Sequence, residues 1–173
     1  YSPELDPWPY DVAKAQSLLA AAGYPDGKGA PEFNIYTWNA GDLPYLPEQA
    51  QLIADMWKKN LGLEVGVVVG EAATTREKWY AGELAGHVLL RSNEARWDGG
   101  SITNALYGQW DGRAHIGGKR EDTRAAAHEA MAVVDPSLRQ AAFNKSYKML
   151  FDEHYEFGSG YVNLPWGVGP RIK

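Results

Sequence analysis

Residues 32–70, EFNIYTWNAGDLPYLPEQAQLIADMWKKNLGLEVGVVVG, decide the fold class of this chain. Residues 32–39 alternate apolar with polar or aromatic side chains, and residues 63–70 are rich in β-branched valine, so both segments predict strands. Between them, apolar side chains recur at helical spacing from Leu46 to Leu61, and Pro47 suits a first helical turn. A strand, a helix and a strand with tight connections form a βαβ unit, whose strands are parallel. The pattern therefore predicts an α/β fold.

The segments on both sides of this unit continue the alternation of helices and strands. Their limits follow from residues that cap helices or break strands, such as aspartate, threonine, glycine and proline. Gly62 is expected to end the central helix. The other predicted elements are a helix from Asp11 to Gly23, a helix capped by Thr74 or Thr75 and reaching Leu84, a strand at 87–91, a helix capped by Asp122 and reaching Val134, a helix from Asp135-Pro136 to about Glu153, and one or two strands within 156–170.

Composition excludes several classes of protein. The chain has 173 residues, of which 45% are hydrophobic and 23% charged, as in an ordinary globular domain. Seventeen Lys and Arg against 22 Asp and Glu give a formal charge of -5, which argues against a nucleic-acid partner. Since there is no cysteine, disulfides, a thiolate nucleophile and sulfur-based zinc sites are excluded. No apolar run approaches the roughly 18 residues of a membrane-spanning helix.

The sequence carries no recognisable catalytic constellation. The four histidines are far apart, and no two have the i, i+4 spacing of a helical metal site. The glycine-containing segments lack the spacing of a P-loop or a dinucleotide motif, and Gly158-Ser159-Gly160 lacks that of a nucleophile elbow. A carboxylate pair among the acidic residues near the strand ends stays open as the enzymatic alternative. We therefore expect neither catalysis nor a cofactor or metal.

Polar and aromatic side chains follow the third predicted strand. Ligands of open α/β sheets bind outside the carboxyl ends of the strands. Trp97 offers a face for a sugar ring or peptide plane, and Asp98 can accept a hydrogen bond from an ammonium or hydroxyl group. The alternative is structural, with Trp97 closing the domain edge and Asp98 capping a turn. The candidate ligand-binding residues are Trp38, at the end of the first strand, and Arg91, Asn93, Glu94, Trp97 and Asp98.

Five blocks of sequence, in order along the chain, carry a family resemblance. They are YDVAKAQSLLAAAGYPDG at 10–27, QAQLIADMWKKNLGLEV at 49–65, YAGEL at 80–84, DPSLR at 135–139 and NLPWGVGPRIK at 163–173. Together they span nearly the whole chain. The chain resembles the C-terminal lobe of the family 5 extracellular solute-binding proteins, the oligopeptide- and dipeptide-binding components of ABC importers.

The resemblance implies a fold and a role. The fold would be a single α/β lobe over residues 1–173, periplasmic-binding-protein-like, with a mixed, mostly parallel sheet flanked by helices and with the N-terminal lobe absent. The protein would work in the periplasm or at the cell surface, with a lipid anchor as an option for its full-length form. It would capture a solute by closure of two lobes, catalyse nothing, need no cofactor and deliver the solute to a membrane permease.

The resemblance also implies a role for one acidic residue. In peptide-binding members, an aspartate after the third strand pairs with the α-amino group of the ligand and is followed by Pro-x-Asn. The best match here is Asp98 with residues 102–104, where Ile102 replaces the proline, and Glu94 is the next candidate. Because of this departure, the solute stays open between an oligopeptide and an oligosaccharide or other non-peptide solute. A stand-alone small-molecule-binding module is a further alternative.

Overall fold

The residues that the structure describes contain a three-stranded parallel sheet. The computed structural model describes residues 8–41, 43–92, 121–154 and 158. Within them, β1 (Phe33–Trp38) lies between β2 (Val65–Gly70) and β3 (Val88–Leu89), and it pairs with both in parallel. The parallel βαβ unit predicted from residues 32–70 is therefore confirmed. The third strand is shorter than predicted, and residues 156–170, apart from residue 158, lie outside the described residues.

Five α-helices are described. They are α1 (Val12–Ala21), α2 (Leu46–Leu61), α3 (Ala72–Ala81), α4 (Glu121–Ala132) and α5 (Pro136–Asp152). The side chain of Asp11 accepts a hydrogen bond from the backbone N–H of Lys14 at 2.9 Å, and that of Asp135 accepts from Ser137 at 2.8 Å. Both residues cap their helices as predicted, because a carboxylate satisfies backbone N–H groups that have no partner within the helix.

Two predicted caps and one helix end are wrong. Glu71, rather than Thr74 or Thr75, caps α3, since its carboxylate accepts from the backbone N–H of Thr74 at 2.9 Å. This helix ends before Gly82, whose φ of 78° is left-handed, and does not reach Leu84. Asp122 lies inside the first turn of α4, where a negative charge favours the helix dipole, and is not its cap.

The hydrophobic core lies between the sheet and α2. Ile35 of β1 is fully buried against Ala50 and Ala54 of α2. Small side chains on the helix let it approach the strand closely, and larger ones complete the contact around them. These partly buried residues are Ile53, Trp57, Val65, Val67, Val88 and Leu90. The apolar residues at helical spacing in 46–61 therefore form the face of α2 that packs on the sheet.

The two crossover helices lie on opposite faces of the sheet. From β1 the chain crosses through α2 to β2, and from β2 it returns through α3 past β1 to β3. Crossovers of this kind are right-handed in nearly all proteins, so two that run in opposite directions occupy different faces. Accordingly, Ile35 packs on α2, whereas Trp38, which alternates to the other face, contacts Arg76 of α3.

The end of α2 is fixed by a close approach of two glycines. Gly62 follows the helix with a φ of 70°, and Gly27, in the turn after α1, has a φ of 72°. A Cβ atom on either would overlap backbone atoms of the other segment. Nearby, the amide of Gln16 donates a hydrogen bond to the carbonyl oxygen of Asn60 at 2.8 Å, which satisfies a terminal carbonyl of α2. These contacts dock α1 and its turn on α2.

Helices α4 and α5 form an antiparallel pair with a short connection. Ala127 and Ala130 of α4 are buried, as are Phe143 and Leu150 of α5. Small residues on one helix facing large ones on the other give close packing. Among the described residues, no helix combines the length and the apolar character needed to cross a membrane.

Candidate functional site

The strand order β2-β1-β3 creates a topological switch point between β1 and β3. From β1 the chain passes through α2 to β2 on one side of β1. It reaches β3, on the other side of β1, only after α3. In doubly wound α/β folds, a strand order of this kind marks the position of a crevice at the carboxyl edge of the sheet. Ligands of doubly wound α/β folds bind in crevices of this kind, so this edge is the first place to look for a site.

Trp38 and Arg91 both lie at this edge. Tyr36 pairs with Leu89, and the backbone N–H of Leu90 donates to the carbonyl of Tyr36 at 2.9 Å. Trp38 is the last residue of β1, and Arg91 lies two residues beyond the end of β3. Both candidates therefore lie at the carboxyl edge of the sheet. Asn93, Glu94, Trp97 and Asp98 lie outside the described residues, and the binding roles of all six stay predictions.

Helix α3 adds an arginine and a tryptophan to the same place. The guanidinium carbon of Arg76 lies 5.3 Å from the centroid of the Trp38 ring, and that of Arg91 lies 5.0 Å from the centroid of Trp79. Each contact is a cation–π interaction, worth about 0.5–2 kcal/mol depending on exposure. We refer to Trp38, Arg76, Trp79 and Arg91 as the Trp–Arg cluster.

The rings of the Trp–Arg cluster are covered. Trp38 is 4% exposed and Trp79 is 7% exposed. A solute could stack directly on Trp38 only if Arg76 moved away. The indole N–H of Trp79 is buried and has no hydrogen-bond partner in the part of the chain that the structure describes. A buried donor without an acceptor costs about 1–3 kcal/mol. Such groups are rare in native structures and call for a physical explanation.

Glu71 caps α3, the helix that supplies Arg76 and Trp79 to the Trp–Arg cluster. Hydrogen bonds from the backbone N–H groups of Ala73 and then of Thr74 lower the pKa of Glu71 below its usual value. The carboxylate is therefore ionised at neutral pH, and its charge is used to cap α3.

Sequence reasoning missed Arg76 and Trp79. Both lie on the predicted helix that follows β2, three residues apart and therefore on one face of it. That spacing, on a helix whose first turn starts at the carboxyl edge of the sheet, is the signal that could have identified them. What the sequence could not give is the pairing of each residue with a partner from another strand end.

The other surfaces of the described residues have fewer features of a binding site. A cavity of about 250 Å³ lies between α1, the turn after it and the end of α2. Its lining residues are mostly polar, and it lies at the carboxyl-terminal end of α2, whereas the start of α2 follows β1 at the carboxyl edge. Its lining residues are Gln16, Leu19, Asp26, Lys58, Lys59, Asn60, Leu61 and Gly62. Within the described ranges, no three His, Asp or Glu residues are grouped so that they could hold a metal ion.

Comparison with known proteins identifies the family of this chain. Residues 1–112 match the family model described as bacterial extracellular solute-binding proteins, family 5 Middle. The chain is 35% identical over 89 residues to heme-binding protein A of Haemophilus influenzae, which is 51% of this chain and 16% of that protein. It is 63% identical over 40 residues to the glutathione-binding protein GsiB of Salmonella typhimurium, which is 23% of this chain and 7% of that protein.

Solved structures share the fold. A periplasmic oligopeptide-binding protein, OppAIV from Borrelia burgdorferi, superposes with a TM-score of 0.69 at 20% identity, over 88% of this chain and 30% of that chain. DppA from Helicobacter pylori, in complex with the peptide STSA, gives a TM-score of 0.68 at 22% identity, over 88% and 29%. The predicted periplasmic-binding-protein-like α/β fold is confirmed. The chain spans 16% or less of the length of the curated relatives it matches, and about 30% of these solved chains.

Proposed function

Since the chain belongs to the family 5 bacterial extracellular solute-binding proteins, we propose that it supplies one lobe of the solute-binding component of an ABC importer. The solute is peptide-like and is captured between this lobe, residues 1–173, and an N-terminal lobe of the full-length protein. The protein acts outside the cytoplasm, in the periplasm or at the cell surface. It binds and releases the solute without a covalent step.

The position of Trp38 at the end of β1 and of Arg91 just after β3, next to the switch point, is the observation that supports a site at this edge. Residues 93–98 come after Arg91 and Ser92 in the chain, and Ser92 is the last described residue before them. In the proposed site, the carboxylate of Asp98 pairs with the amino group of the peptide, with Glu94 as the alternative acid. Trp97 stacks on a peptide plane, and Asn93 hydrogen-bonds to the peptide backbone.

Lobe closure gives the proposed mechanism. A solute that makes contacts with both lobes only in the closed form shifts the open–closed equilibrium toward that form. The permease then recognises the closed protein. One lobe alone offers one wall of the cleft, so we expect the isolated chain to bind the solute in the millimolar range or more weakly. Low-micromolar binding by the isolated chain would instead support a stand-alone binding module.

Heme is the second candidate solute. The 35% identity over 89 residues to a protein named for heme binding favours it, and this relative covers about half of the chain. The transport role would be the same, with the macrocycle lying against aromatic side chains of the lobe. An oligosaccharide, which aromatic faces also bind, is the remaining alternative.

The test is a titration of the full-length protein that contains this chain. Its probes are di- to tetrapeptides, glutathione and a linear oligosaccharide, followed by tryptophan fluorescence, and hemin, followed by calorimetry. We expect saturable binding of peptides and a loss of about tenfold or more in affinity with Asp98→Ala. Asp26→Ala, which removes an exposed carboxylate remote from this edge, is the matched control. Binding of hemin or sugar alone would change the solute, and binding of no probe would overturn the proposed role.

A further inference from the structure

The cavity of about 250 Å³ at the end of α2 is separate from the carboxyl edge of the sheet. Helix α2 begins after β1 and ends before β2, and the two strands are parallel, so the two ends of the helix lie at opposite edges of the sheet. A water molecule occupies about 30 Å³ in the liquid, so the cavity has room for roughly eight waters. That space is enough for a small molecule of the size of a sugar ring.

Two amide side chains are held in fixed positions in the wall of this cavity. Nε2 of Gln16 donates a hydrogen bond to the backbone carbonyl of Asn60 at 2.8 Å, and Nδ2 of Asn60 donates to Oη of Tyr10 at 3.1 Å. Among the described residues, the side-chain oxygens of Gln16 and Asn60 accept no hydrogen bond. Each oxygen is therefore a positioned acceptor, for which a hydroxyl group is a suitable donor.

The charges around the cavity are largely compensated. Lys58 forms an ion pair with Glu64 at 3.1 Å, and Asp26 forms one with Lys28 at 3.8 Å. The third charged residue of the lining that has no such pair within the described residues is Lys59, and it stands at the negative end of the α2 dipole. Because neither sign of charge dominates, the lining favours a neutral polar ligand over an ion.

An exposed aromatic ring stands beside the cavity. Tyr10 is 75% exposed, yet its hydroxyl group is held by Asn60, which lines the cavity. This bond fixes the tip of the ring and leaves the ring faces to solvent. Leu19 and Leu61 add apolar surface to the lining. Apolar C–H groups of a sugar ring can pack on such surfaces, while its hydroxyl groups reach the polar wall.

We propose that this cavity is a second binding site and that it takes one neutral sugar ring, free or at the end of a glycan chain. The sugar stacks on Tyr10, its hydroxyl groups donate to the amide oxygens of Gln16 and Asn60, and a hydroxyl oxygen accepts from the ammonium group of Lys59. The site goes beyond the proposed function, because it lies away from the edge that takes the transported solute. One ring buries little surface, so we expect a Kd in the millimolar range.

The experiment uses saturation-transfer NMR on the full-length protein, a method that detects weakly bound ligands. The probes are glucose for a free sugar, methyl glucoside and maltotriose for a chain end, and alanine as a zwitterion. Tyr10→Ala removes the aromatic ring, and Tyr10→Phe removes only the hydroxyl group. Tyr45→Ala is the matched control, because it removes a tyrosine that is 43% exposed at the opposite end of α2. Thermal unfolding checks that each variant is folded.

We expect at least one form of the sugar to bind, and Tyr10→Ala to weaken its binding about fivefold or more. Tyr10→Phe should keep part of the affinity because the ring remains, and Tyr45→Ala should leave the affinity unchanged. Sugar binding that is unaffected by Tyr10→Ala takes place elsewhere, as in the cleft, and overturns the inference. Binding of alanine in place of the sugars, or of no sugar by the unsubstituted protein, overturns it as well. None of these outcomes affects the proposed transport role, which the peptide titrations test.

Discussion

The βαβ unit and the carboxyl edge of the same sheet are held together by different forces. In the βαβ unit, Ile35 packs against alanines of α2, and the contacts are apolar and closed to water. At the edge, the Trp–Arg cluster joins residues by cation–π contacts, and the buried indole N–H of Trp79 has no hydrogen-bond partner among the described residues. Burial of apolar surface supplies most of the stability of a fold. The comparison therefore assigns most of the stability to the βαβ unit, whereas the arginines of the cluster place positive charge at the carboxyl edge.

The largest effect should come from the core of the βαβ unit. Ile35→Ala removes a fully buried side chain and leaves a cavity between β1 and α2. We expect a loss of about 2–5 kcal/mol in the free energy of unfolding, measured by urea denaturation. Leu52→Ala on α2, where the side chain is 60% exposed, should cost about 0.5 kcal/mol or less. Equal effects of the two substitutions would contradict the placement of the core.

The glycine contact at the end of α2 should give the next largest effect. Gly62→Ala places a Cβ atom against the backbone of Asp26 and also forces a left-handed φ on alanine. We expect a loss of about 1–3 kcal/mol in the free energy of unfolding. Gly23→Ala is the matched control, because Gly23 also has a positive φ but its Cβ would meet nothing within 4 Å. The difference between the two variants measures the close approach alone, and no difference would argue against it.

A buried hydroxyl at the end of β1 offers a stabilising change. Thr37 is fully buried, and its Oγ1 has no hydrogen-bond partner in the described part of the chain. Thr37→Val replaces the hydroxyl with a methyl group of similar shape and should stabilise the protein by about 1 kcal/mol. Thr123→Val on α4 should destabilise by a similar amount, since Thr123 is equally buried but has an interaction partner. A loss of stability in Thr37→Val would mean that its hydroxyl does have a partner.

Local rules explain which parts of the fold could be predicted. The cap at Asp135 and the helix end at Gly62 depend on a few neighbouring residues, so the sequence alone predicts them. The cap at Glu71 was missed because glutamate is not among the preferred capping residues, and threonines nearby competed for the assignment. The side chain of Thr74 instead serves the cap, by donating to Glu71.

The sequence predicts the location of the candidate site but not the side-chain contacts within it. Parallel strands bring their carboxyl ends to one edge, so the presence of Trp38 and Arg91 at the same edge follows from the order of the strands. The contacts of Arg76 and Trp79 depend on how α3 lies on the sheet, which no local pattern encodes. Tertiary packing decides such pairings, and a single sequence gives only the spacing of residues along each helix.

The smallest effect concerns the two acidic caps and depends on pH. The pKa of Glu71 is lowered mainly by the backbone N–H of Ala73, and that of Asp135 mainly by the hydroxyl of Ser137. A carboxylate with a depressed pKa in the folded state stabilises the protein above its unfolded pKa, here 4.5 for Glu71 and 3.8 for Asp135. That contribution is lost as the pH falls through the lower folded value.

Glu71→Gln and Asp135→Asn should therefore flatten the acid limb of a plot of unfolding midpoint against pH, each below the unfolded pKa of the residue replaced. The midpoints are measured by urea denaturation from pH 7 to pH 3. Glu32→Gln, which replaces a carboxylate whose side chain caps no helix, is the control and should leave the limb unchanged. If Glu71→Gln also alters the affinity of the full-length protein for the peptide probes, the stability of the first turn of α3 is coupled to recognition at the carboxyl edge. If it does not, this turn contributes to stability without affecting recognition.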